Sequence, residues 1–199
     1  MTSFSAGDFP LVFDHIERYL GPVDNRWGDT AEGQRSPFQV LRCAGQVIDT
    51  TFFCTLGLGN HPMPNLHGPA NGVTRHELLI AVPNAFGTRN VPVLLQQLGQ
   101  IAIKRQRPFT RGEIVMGANP VFGDWPFRGL FASHPFVVGV DAFAECTRED
   151  GKHIRFLWLA PIHQREIDYA RKHGHAKLEV LFAERNIDLV DLNRPPAVD

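Results

Sequence analysis

Nine histidines and three cysteines are scattered through 199 residues, and their spacing decides what chemistry they can do. His76 and Glu77 form a His-Glu pair, but the helical zinc arrangement needs a second histidine one turn further on, where Ile80 stands. His163 and Glu166 share one stretch with two residues between them. Bundle-type carboxylate metal sites use that separation with the glutamate first and in two copies. A single copy in reverse order reads better as a helix cap, Glu166 turning back onto the helix start while His163 bonds locally. His61 and His67 lie in one Pro-rich stretch, and His173 and His175 flank Gly174, yet neither pair brings the third and fourth ligands of tetrahedral zinc. A metal-assisted hydrolase using His61, His67, His163 and Glu166 is therefore only the rival reading, and no metal and no cofactor are expected.

Nucleophilic and phosphate chemistry find no better footing. "GLGNHP" opens like a dinucleotide fingerprint, but Pro62 occupies the third glycine position and no helix follows. No phosphate-cradling Gly-Lys loop and no GxSxG elbow occurs. Cys54 sits in an apolar strand-like run and reads as a buried thiol. "KRQRPFTR" at 104–111 is the one local basic cluster, and its place at a helix end accounts for most of it. No catalytic residue is expected, and the chain reads as non-enzymatic.

The elements that would position these residues can be read from periodicity. Val12, Ile16, Tyr19 and Leu20 fall on one helical face behind Asp8 as candidate cap and Pro10 in the first turn, and Gly21 and Pro22 end it. Residues 23–37 read as polar and turn-rich. "FQVLRCA" and "QVIDTTFFCTLGLG" are dense in strand-forming types and predict a hairpin turning at Gly45. Residues 57–72 are crowded with Gly and Pro and predict a long exposed loop. "HELLIAVP" is apolar on both faces, as a central strand must be. "VPVLLQQLGQIAIKRQ" predicts a helix with Leu94, Leu98 and Ile101 inward and Gln96, Gln97 and Gln100 outward. Gly99 inside it marks a close approach to the sheet. "EIVMGANPVF", "GLFASHPFVV", "AFAECTRE" and "HIRFLWLAPI" predict further strands, and 164–173 and 176–185 two closing helices. The expected fold is α+β, a central mostly antiparallel sheet flanked by helices, as a single domain over 1–199 with its core at about 10–192.

Composition is that of an ordinary globular domain. Apolar residues make up 43% and charged ones 21%, and 20 basic against 21 acidic residues leave a net charge of −1. No global field recruits nucleic acid or an anionic membrane. The start lacks a signal-like apolar run, and Cys43, Cys54 and Cys146 form an odd set without close spacing, so a cytoplasmic location is expected.

The order of segments carries a resemblance. "FCTLGLG", "RHELLIAVP", the helix "VPVLLQQLGQIAIKRQ", "RGEIVMGANPVF", "GLFASHPF" and "FLWLAPIHQREIDYARKHG" follow one another as they do in the suppressor of fused domain. Pro161, Ile162 and Glu166 match that family's "PI" and glutamate pattern. The chain resembles a compact, bacterial-type member covering the N-terminal lobe of the animal relative. The resemblance implies a domain without enzymatic activity that binds another protein, either an extended peptide segment or, in an immunity-type role, a toxin that it masks. It places Phe53 where an aromatic lines the animal protein's peptide cleft, and Asn60, His61 and Met63 near that cleft's rim. Phe53 also reads, ahead of recognition, as an ordinary core aromatic of a strand. A third reading is a structural subunit pairing through a sheet edge.

Overall fold

The computed structural model describes residues 10–29, 33, 35–44, 46–64, 72–117 and 119–198. Asp8, Gly45 and His67 lie outside them. The chain opens with helix α1 (Pro10–Leu20), whose Val12, Ile16 and Leu20 are buried on the predicted stripe. Then come strands β1 (Val23–Asp29), β2 (Arg35–Ala44) and β3 (Thr50–Leu56), the short β4 (Met63–Pro64) and β5 (Val73–Thr74), and β6 (His76–Pro83). Helix α2 (Val91–Arg105), β7 (Ile114–Met116), β8 (Phe127–Ser133), β9 (Glu145–Thr147), β10 (His153–His163), α3 (Gln164–His173) and α4 (His175–Glu184) complete it.

The large sheet runs β1-β2-β3-β6-β10-β8-β7, with β9 also on β10, and β4 pairs β5 separately. Every pairing is antiparallel except β10 with β6. The expected α+β class and mostly antiparallel sheet are what the chain adopts. β6 is central: Leu78, Ile80 and Val82 join one core, and Leu79 and Ala81 the core on the opposite face. Such two-sided burial follows from period-two alternation in a strand apolar throughout. Helix α2 covers the first face, α1 the second, and α3 with α4 close the end beside β8 and β10.

Several sequence expectations change. Residues 23–29, read as turns, form β1, an edge strand whose residues are largely exposed; polar residues suit an edge with little to bury. On α2 the buried stripe is Val91, Leu95, Leu98 and Ala102, while Ile101 is 49% exposed. Gln96 is buried because its amide donates to the Asp29 carbonyl at 2.6 Å, which removes the cost of burying it unpaired. The 57–64 stretch is not an exposed loop: Gly57, Leu58 and Gly59 are buried and the segment makes a 3-10 turn at Leu58–Asn60 followed by β4. The strand predicted over "EIVMGANPVF" narrows to Ile114–Met116.

Gly99 does mark a close approach. A Cβ there would stand 2.3 Å from the Phe38 ring of β2, so the helix reaches its seat only with a bare backbone at this point.

Candidate functional site

One buried carboxylate shapes the region that holds the sequence-predicted binding residues. Glu77 is fully buried on β6. Its side chain accepts hydrogen bonds from the Thr55 hydroxyl at 2.6 Å and from the Gly57 and Gly59 N–H groups at 3.0 Å each. The Thr55 hydroxyl oxygen in turn accepts from Leu78 N–H. Gly57 takes φ 98°, a conformation glycine adopts without strain. The turn thus closes around Glu77, and Arg75 and Arg148 tie its outer side by donating to the Gly59 carbonyl and to the Asn60 side chain. Burial pushes Glu77 up to about 7, against the hydrogen bonds, which favour the charged form.

Phe53 and Met63 are fully buried in the α2-side core, where Phe53 packs beside Trp27 at 6.0 Å between ring centres. Their side chains present no surface, and only Asn60 and His61 of the four reach solvent. His76, next to Glu77, is also buried, and neither ring nitrogen has a hydrogen-bond partner among the described residues. Burial pulls it down to about 4, with Arg105 adding to the effect, so the ring is neutral.

His163 and Glu166 form the capping arrangement that their spacing predicts: Glu166 accepts from the His163 N–H at 2.7 Å. The same carboxylate grips Arg194, so it is committed to holding the C-terminal segment. Among the described residues no group of three or more His, Cys, Asp or Glu could hold a metal ion. All three cysteines are buried and unpaired. Burial pushes the Cys43 thiol up to about 12 and the Cys54 thiol well above its usual range, so neither is a thiolate nucleophile at neutral pH.

The feature that sequence reasoning missed is a cleft of about 1120 Å³ between the β2–β3 turn, the segment after β8, and α4 with the residues that follow it. Trp158 of β10 and Phe182 of α4 are among the buried residues lining it. Ile48, Phe136 and Val180 on its walls are 96%, 56% and 54% exposed. Large apolar side chains gathered at one exposed place mark an interaction surface more often than a chance surface. The walls are held in place. Arg111 donates to both oxygens of Glu179 at 2.9 and 2.8 Å, Ser133 donates to the same carboxylate, and the Arg111 guanidinium lies 5.9 Å from the Phe136 ring. Val180 alone carries a local sequence signal, a β-branched residue on the outer side of α4 among Ala176, Lys177, Ala183 and Glu184. The cleft's other walls come from distant segments.

Most of the chain is similar to known proteins. The suppressor of fused protein (SUFU) family profile matches residues 34–195. A Neisseria gonorrhoeae protein described as a suppressor of fused homologue superposes with a TM-score of 0.72 at 24% identity, covering 96% of each chain. The Sufu–Fu complex structure matches with a TM-score of 0.63 at 13% identity over 92% of this chain and 89% of that one. Drosophila Suppressor of Fused gives 0.62 at 11% identity over 94% of this chain and 50% of its own, so the chain spans about half that protein. Likeness at these identities carries the fold. No curated protein sequence gives a significant match.

Proposed function

The chain belongs to the suppressor of fused family, and from that premise we propose that it is a non-enzymatic protein-binding domain that masks or tethers a partner protein. The observation that carries this reading is the exposed apolar cleft of Ile48, Phe136 and Val180 around Trp158. Exposing such side chains to water forgoes roughly 25 cal/mol for each Å² they could bury, and a partner surface recovers it. Buried apolar centres with polar rims are the usual anatomy of protein interfaces. One structural neighbour is the Sufu–Fu complex, which supports a protein as the class of ligand.

Within that reading the chain acts as a stoichiometric inhibitor or adaptor, and an immunity-type role against a toxin is one form of it. It works in the cytoplasm as one domain over 1–199. Among the described residues no helix is long and apolar enough to cross a membrane. Affinity purification from the native cells, read by mass spectrometry, tests the proposal. A dominant protein partner at a near-equal ratio is the expected result. Turnover of a small molecule with no partner recovered counts against it.

A further inference from the structure

The rim of the apolar cleft differs in charge from the rest of the chain. Five charged residues line it: Asp49, Glu179, Asp188 and Asp191 are acidic, and Arg111 is basic. Arg111 is already matched by Glu179 in a two-pronged pair. Asp49, Asp188 and Asp191 enter no ion pair among the described residues. A chain with a net charge of only −1 therefore gathers three uncompensated carboxylates around its exposed apolar surface. Two of them are fixed in direction: Asp188 accepts from the Val190 N–H at 2.9 Å and Asp191 from the Asn193 N–H at 2.8 Å. Asp49 sits at the tip of the β2–β3 turn, where its carbonyl accepts from the Asn84 N–H at 3.0 Å.

We propose that the cleft receives a basic amphipathic segment of the partner protein, apolar side chains packed against Ile48, Phe136, Val180 and Trp158 and Lys or Arg residues set against Asp49, Asp188 and Asp191. This rests on the protein-binding reading above and names the chemistry of its partner. Complementary potentials at a rim steer encounter and reject wrong partners more than they add affinity. An acidic segment meets three like charges there, which disfavours it. An anionic lipid surface is repelled for the same reason, so the apolar cleft is a protein site and not a membrane seat.

The test uses the full chain and fluorescein-labelled peptides read by anisotropy at physiological salt. One amphipathic peptide carries Leu on one face and Lys on the other; its counterpart replaces every Lys with Glu. The Leu–Lys peptide is expected to bind saturably and the Leu–Glu peptide at least about tenfold more weakly, the rim pairs supplying the difference. The double change Asp188→Asn and Asp191→Asn keeps both turn-forming acceptors and weakens the Leu–Lys peptide by about tenfold. Asp14→Asn with Asp124→Asn, equal in charge but outside the cleft, leaves it unchanged. Equal binding of the two peptides, or equal loss in the two double variants, overturns the inference. A photo-cross-linker at position 180 separates this inference from the reading beneath it. A cross-linked partner segment rich in Lys or Arg and apolar residues supports it. An acidic segment overturns it while protein binding stands, and no cross-linked protein at all counts against both.

Discussion

Glu166 and Arg194 meet in a two-pronged ion pair, Nη1 to Oε1 at 2.5 Å and Nη2 to Oε2 at 2.9 Å, with both side chains buried. Glu166 also accepts from the N–H groups of His163 and Ala197, and Arg194 donates to the Pro161 carbonyl. One carboxylate thus fastens the end of β10, the start of α3 and the C-terminal segment. Removing one partner of such a pair leaves a buried charge uncompensated, which costs about 3–5 kcal/mol. Glu166→Gln is expected to lower stability by that order in urea titration. Glu166→Gln combined with Arg194→Met recovers part of the loss, because no unpaired guanidinium remains.

His76 and Glu77 pull the pH dependence of stability in opposite directions. Folding lowers His76 from 6.5 to about 4. Below pH 6.5 the unfolded chain takes up a proton that the folded chain refuses, so stability is lost as pH falls through that window. Folding raises Glu77 from 4.5 to about 7. There the folded chain keeps a proton that the unfolded chain sheds, so stability is gained as pH falls from 7 towards 4.5. Each effect is bounded at about 3 kcal/mol, and together they largely cancel. His76→Phe should leave a chain that grows more stable from about pH 7.5 to about pH 5, and Glu77→Gln one that weakens over the same interval. Urea midpoints at the two ends of that range measure both. A wild-type profile copied by either variant would refute the assignment.

Gly99→Ala tests the contact between α2 and β2. Helix propensity favours alanine by about 1 kcal/mol, but the added Cβ meets the Phe38 ring at 2.3 Å. Overpacking of this kind costs about 1–3 kcal/mol, so net destabilisation is expected. Adding Phe38→Leu should restore much of it. A Gly99→Ala chain more stable than the parent would show that α2 can shift outward freely.

The sequence makes the central strand β6 legible because its residues are apolar on both faces, and it makes the α3 cap legible because His163 and Glu166 hold a fixed local spacing. Local signals fail where a partner distant in sequence decides the outcome. Gln96 reads as an outward residue until the Asp29 carbonyl is beside it. β1 reads as turns because Asp24, Asn25, Arg26 and Asp29 are polar, although an edge strand tolerates them. Residues 57–59 read as loop because two glycines in three positions break periodicity, and the turn takes its order from Glu77 beneath it and Arg75 and Arg148 outside it, all distant in sequence. The cleft is least legible of all: Ile48, Phe136, Trp158 and Val180 come from four separate segments, and no periodicity links them.

Whether the cleft binds a protein is decided by recovery of that partner with the wild-type chain and with two equally polarising variants. Val180→Asp places a charge in the cleft, and Val73→Asp places one at a position 58% exposed that does not line it. Both substitutions replace exposed apolar residues and are expected to change stability by less than about 0.5 kcal/mol, as thermal unfolding will verify. The partner is expected to copurify with wild type and with Val73→Asp and to be lost with Val180→Asp. A partner retained at full yield by the folded Val180→Asp chain would contradict binding at the cleft.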